Sequence, residues 1–133
     1  MAHSLPSLLP ALLTLAAGSP SKILLAWDPE TTAAVLERGL AKLTAQTITD
    51  PGVLTGELEQ VRERGYALSI GENAEGVASV GAPVRDSSSK VIAALCLGGP
   101  TSRVTADWLE AHQELVTEAA RQVSRRLGWT ERT

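Results

Sequence analysis

Residues Leu58–Pro100 read LEQVRERGYALSIGENAEGVASVGAPVRDSSSKVIAALCLGGP, and this stretch decides the fold. It opens on the end of a helix that Gly65 stops. A short strand, Tyr66–Ile70, then enters the GENAEG loop, and the segments Val77–Arg85 and Lys90–Gly98 alternate as an antiparallel hairpin. The turn is Asp86-Ser87-Ser88-Ser89. With those four residues as the loop, Arg85 faces Lys90, Ser79 faces Cys96 and Val77 faces Gly98. One face then carries Ala78, Val80, Ala82, Val84, Val91, Ala93, Leu95 and Leu97 and must be covered. The other carries Val77, Ser79, Gly81, Pro83, Ile92, Ala94, Cys96 and Gly98. Small, weakly polar side chains on one side of a sheet suit the floor of a ligand cup rather than an enzyme core.

Working outward, the natural cover for the apolar face is a C-terminal amphipathic helix. It starts after a Thr105 cap and runs to about Leu127, with Trp108, Leu115, Val116, Ala119, Ala120, Val123 and Leu127 at helical spacing. Asp107 and Glu110 near its start, and Arg121, Arg125 and Arg126 near its end, match the helix dipole. Upstream, Asp28 and Asp50 each precede a proline and read as caps of two further helices. Gly39 ends the first of these, and Leu54, Leu58 and Val61 line one face of the second. The run LPSLLPALLTLAAG, Leu5–Gly18, is a buried or partner-covered segment. It has no basic residue before it, and Pro6 and Pro10 interrupt it, which argues against a secretory signal.

The 133 residues fit one domain. A net charge of -3 removes the general attraction for phosphates that nucleic-acid binding needs, and with no Phe and three Trp the chain lacks base-stacking platforms. A single cysteine, Cys96, excludes an internal disulfide, and His3 and His112 complete no metal spacing, so neither a metal nor another cofactor is expected. A cytoplasmic setting with no membrane partner follows from the same composition. Glu72 and Glu75 are solvated loop charges without a partner His or nucleophile nearby in sequence. Ser87–Ser89 lack a strand–turn–helix elbow and are a turn. Cys96 packs as an inert small residue, Trp27 and Trp108 belong to core or interface, and Lys22 either orients its loop or an anion, or is solvated.

The segments VRERGY, GVASVGAPVRD, VIAALCLGGPTSRVT and AARQVSRRLG, with the Ser69…Glu72 spacing, resemble the effector-binding domain of IclR-type bacterial transcription regulators from about Leu15 to Gly128. The most specific part is Gly65–Asp86. The resemblance implies an α/β (α+β), GAF-like domain: an antiparallel sheet with a long C-terminal helix on one face, here 1–133 as a single domain truncated at its N-terminal side. It implies no enzyme. It implies a module that senses a small organic or aromatic acid and acts as a homo-oligomer, dimer or tetramer, touching DNA only through a helix-turn-helix domain absent from this sequence. The alternative is an association module that has lost effector binding. Carried over by position, the effector would meet Ser19, Pro20 and Ser21 in the loop before the first helix, and Ser69, Ser79, Cys96 and Gly98 on the sheet. Pro20 has no N–H to offer an anion.

Overall fold

A computed structural model describes residues 18–131. The elements run α1 (Ser19–Ala26), α2 (Pro29–Arg38), α3 (Pro51–Arg64), β1 (Ala67–Ile70), β2 (Val77–Arg85), β3 (Val91–Pro100) and α4 (Ala106–Arg126). The strands form an antiparallel sheet in the order β1-β2-β3. α4 covers one face and α1 the other, with α2 and α3 outside α1. The N-terminal run before Gly18 lies outside the described residues. No described helix is long and apolar enough to cross a membrane.

The capping signals in the sequence act as read. Asp28 accepts the Thr31 amide at 3.0 Å, Asp50 the Gly52 amide at 2.8 Å and the Thr105 hydroxyl the Trp108 amide at 3.2 Å. Gly65 ends α3 in the left-handed region, φ 85°, a conformation that a Cβ would oppose. What the sequence reading takes for an entry loop, Ser19–Lys22, is instead the first turn of a helix. Gly18 caps it, and Pro20 is tolerated because first-turn amides have no intrahelical acceptor.

The hairpin register differs from the expected one by two residues. Ser79 faces Gly98, Gly81 faces Cys96 and Val77 faces Pro100, while Arg85 faces Val91 rather than Lys90. One residue of the shift comes from the turn, which closes through the Asp86 amide on the Lys90 carbonyl at 3.0 Å. Ser89 stands there at φ 67°, and the Asp86 carboxylate accepts the Ser88 and Lys90 amides. The second comes from a bulge between Val84 and Arg85. Because the total is even, nearly every side chain keeps its expected face. Val91 is the exception. It lies between turn and bulge, where only one of the two residues has been added, and it packs with the α1–α3 cluster instead of under α4.

The C-terminal helix sits rotated from the expected orientation. Leu109, Val116, Ala120 and Ser124 are its buried positions, whereas Leu115 is 64% exposed. Ser124 explains the choice at that end. The bulge turns the Arg85 amide away from the ladder toward the helix, and the Ser124 hydroxyl accepts it at 2.8 Å while donating to Ala120 O at 2.8 Å. Ser124→Ala therefore strands a part-buried amide and lowers stability by about 2 kcal/mol in a urea titration. A loss below about 0.5 kcal/mol would mean that the bulge does not depend on this contact.

Candidate functional site

The strand register brings three of the expected site residues into one row across the sheet, Ser69 on β1, Ser79 on β2 and Gly98 on β3. The adjacent row is Ala67, Gly81 and Cys96. Both rows face α1, since Ala67 belongs to the cluster built around Ile23, Leu25 and Ala26 of that helix. The small side chains fix how near the helix comes. A Cβ on Gly81 would lie 3.0 Å from Cys96 Sγ, 3.3 Å from Ser19 Oγ and 3.4 Å from Ser19 O. At Gly98 a Cβ would meet Ala78 O at 2.7 Å and Ser79 Cβ at 2.9 Å, so no side chain fits there without moving β2.

Ser19, fully buried in the first turn of α1, is the helix residue that meets this floor. Its hydroxyl stands 2.5 Å from that of Ser79 and 3.9 Å from Cys96 Sγ. Ser21 does not face the floor. Its hydroxyl accepts the Gly18 amide at 2.8 Å and donates to Gly18 O at 2.7 Å, closing the start of the helix on itself. Pro20 contributes shape without a donor. Of the seven expected residues, Ser19, Ser79 and Cys96 meet at the helix start, Ser69 and Gly98 share the sheet row of Ser79, and Ser21 turns back onto Gly18.

Cys96 departs from the packed residue expected, because β3 is the outer strand and the residue as a whole is exposed. Its thiol nevertheless turns in toward Ser19 and Gly81. Burial there pushes the thiol pKa up, and the Ser19 hydroxyl opposes the shift. The sulfur therefore stays protonated at neutral pH and is a poor nucleophile.

Sequence reasoning missed the polar anchor of the site. Lys22 is 1% exposed. Its Nζ donates to Leu68 O at 2.7 Å and to Glu72 Oε1 at 2.9 Å, and stands 2.7 Å from Glu72 Oε2, which lies off the hydrogen-bonding direction. Glu57 on α3 follows at 3.5 Å and in turn meets Arg64 at 3.4 Å. Glu72 is accordingly no solvated loop charge, although Glu75 is exposed. Thr47 donates to Glu72 O at 2.6 Å and Thr44 to Gly71 O, holding the loop that presents the carboxylate. The available signal was the Ser69…Glu72 spacing, which set an acidic residue just past a strand end without naming its cation. Among the described residues no cluster of His, Cys, Asp and Glu could hold a metal ion.

A family model described as bacterial transcriptional regulator IclR C-terminal matches residues 9–125. The chain belongs to this family. It is 35% identical over 101 residues to the HTH-type transcriptional repressor AllR of Escherichia coli K12, covering 76% of this chain and 37% of that protein. It therefore spans well under half of this relative's length. Among solved structures it is similar to the C-terminal domain of the E. coli transcriptional regulator KdgR, with TM-score 0.76 and 34% identity over 86% of this chain and 71% of that one. It is also similar to the inducer-binding domain of PobR from Acinetobacter, a double mutant solved with 3-hydroxybenzoic acid, with TM-score 0.72 and 34% identity over 86% and 65% of the two chains. These IclR-type relatives are transcriptional regulators, not enzymes.

Two measurements probe the site's electrostatics. Lys22→Met keeps the apolar stem but leaves Glu72 part-buried without its cation, and should cost about 3 kcal/mol in chemical denaturation. Glu57→Gln, at a longer and more exposed contact, should cost under about 1 kcal/mol, and equal losses would refute the ranking. For Cys96, removing the opposing hydroxyl with Ser19→Ala should raise the thiol pKa further. Alkylation by iodoacetamide at pH 8 then slows relative to the parent chain, and faster alkylation would mean that Ser19 acts as a steric shield instead.

Proposed function

We propose that this chain is the small-molecule sensing and association module of an IclR-type regulator. In this reading it takes up a small organic or aromatic acid and so controls DNA binding by a helix-turn-helix domain outside this sequence. The observation that carries the reading is the row Ser69–Ser79–Gly98 beneath the buried start of α1, where small residues and hydroxyls converge on one helix end. Similarity to the inducer-binding domain of PobR, whose structure holds 3-hydroxybenzoic acid, supports an aromatic or larger apolar acid. The cup agrees with this, as Gly98, Cys96 and Ser69 stand where a carboxylate or further hydroxyls would favour a smaller, more polar ligand.

In this mechanism the ligand competes with Ser19 for the Ser79 hydroxyl. Entry lifts the first turn of α1 from Gly81, and the motion passes along the helix to Trp27, over whose ring the Arg85 guanidinium sits at 5.1 Å. The ligand biases an equilibrium only through unequal affinity for the docked and lifted helix, and loss of the Ser19–Ser79 contact supplies that difference. The same contact favours the second reading. A 2.5 Å hydroxyl pair over the cup floor describes a sealed site, as in an association module that no longer binds an effector.

A thermal-shift screen of the 133-residue chain against small keto, hydroxy and aromatic acids separates the two. A ligand at about 100 times its Kd should stabilise the fold by roughly 2.7 kcal/mol, a rise of roughly 8 °C. The rise should shrink in Ser79→Ala, which removes the hydroxyl that the ligand takes from Ser19 without adding bulk to the floor. No rise for any compound, with a clean melting transition, would overturn the sensing reading and leave the association module.

A further inference from the structure

α2 and α3 each pack on α1, yet hardly on one another. Helices in full contact interdigitate at about 8–10 Å between axes, whereas here a gap stays open between the two, over the C-terminal end of α1. The gap is a cleft of about 500 Å³, within the range of ligand sites. It is separate from the cup. Its floor, Leu25 and Trp27, stands roughly 10 Å further along α1 than Ser19.

The walls are two helix faces at helical spacing, Ala33 and Leu36 on α2 and Leu58 and Arg62 on α3. Trp27 is held in place between them and the sheet, because the Arg85 guanidinium lies 5.1 Å over its ring. Most donors at the cleft are already occupied. The Thr32 hydroxyl donates to Leu25 O at 2.7 Å and the Thr55 hydroxyl to Pro51 O at 2.9 Å. Arg62 is the exception. Its Nη1 donates to Ala26 O at 2.8 Å, which explains why the side chain leans over the end of α1, but a guanidinium carries five donors. Among the described residues no carboxylate pairs with it, whereas Arg64, two residues on, meets Glu57 at 3.4 Å. Arg62 is exposed and so stands at the mouth of the cleft with donors to offer an anion.

We infer that this cleft is a second ligand site, for a saturated, medium-chain monocarboxylate whose chain lies along Leu25, Leu36 and Leu58 and whose carboxylate sits on Arg62. Aliphatic walls with one free cation select an apolar body that ends in a single anionic head. Burial of the chain supplies most of the affinity. The guanidinium fixes which end stays at the mouth, since a carboxylate matches its paired N–H groups. A dicarboxylate would bury its second charge among leucines with no partner, so it is excluded. The inference is independent of whether the cup binds an effector.

The test is calorimetric titration of the 133-residue chain with decanoate, decan-1-ol and glutarate, with helix content followed by circular dichroism. The expected result is a saturable site for decanoate and none for glutarate. Decan-1-ol on the parent chain, and decanoate on Arg62→Gln, should each bind about tenfold more weakly. Ala33→Phe adds bulk at an exposed wall position and should abolish uptake at unchanged helix content, while Ser79→Ala, in the cup, should leave the decanoate affinity as it was. No decanoate binding overturns the inference, as does decan-1-ol binding equally well, which removes the anion from recognition. Loss of binding in Ser79→Ala with retention in Ala33→Phe also overturns it, placing the acid in the cup. So does an affinity that falls as the chain concentration rises, which gives the cleft to a second copy.

Discussion

The close seat of α1 on the small-residue face of the sheet is the constraint from which the rest of the structure follows. Gly81 lets the helix backbone come within reach of β2, and Ser19 and Ser79 turn what would be a repulsive contact of bare oxygens into a shared hydrogen bond. Such proximity buries Lys22, and a buried ammonium is acceptable only with full compensation. Leu68 O and the Glu72 carboxylate provide it, and to do so the β1–β2 loop must hold one position, which the Thr44 and Thr47 hydroxyls enforce. The same seat lets Ile23, Leu25 and Ala26 form a core with α3 through Leu54, Leu58 and Val61. A bulkier residue at position 81 would disturb the helix, the lysine and the loop together.

Much of this architecture is legible in the sequence because it is encoded locally. The Asp-Pro pairs, Thr105 and the glycines at 39 and 65 work through neighbours within four residues, so their positions declare the helix ends. The faces of the hairpin are equally legible, since alternation has a period of two and survived an even shift in register. The register itself was not, for it depends on the Asp86 side chain widening the turn and on Ser124, about forty residues away, stabilising a bulge. α1 was misread because Gly18 is a weak cap signal and Pro20 reads as a breaker unless its position in the first turn is already known.

The common sheet face of Ser69, Ser79, Cys96 and Gly98 was legible, and the way the helix meets it was not. Ser69, Ser79, Cys96 and Gly98 do share a face under the residues 19–21, but Ser19 alone of those three touches it. The Lys22–Glu72 pair could not be read from spacing, because the partners lie fifty residues apart and each, taken singly, resembles an ordinary surface charge. The orientation of α4 failed for a related reason. Its sequence carries apolar residues across more of its circumference than one sheet face can cover, and the decision between Leu109 and Leu115 rests on where the sheet ends.

The wide separation in sequence between α1 and its seat also sets an order of assembly. β2 and β3 are joined by a short turn, and α3 leads directly into β1, so these pieces close small loops and can form early. α1 must return across sixty residues to reach Ser79 and seventy-seven to reach Cys96, a closure of high entropic cost that brings no reward until the strands are already side by side. Lys22 strengthens the ordering, since its ammonium gives up water only when both Leu68 O and Glu72 are in place. Chain entropy therefore places the docking of α1 after the pairing of the strands it rests on.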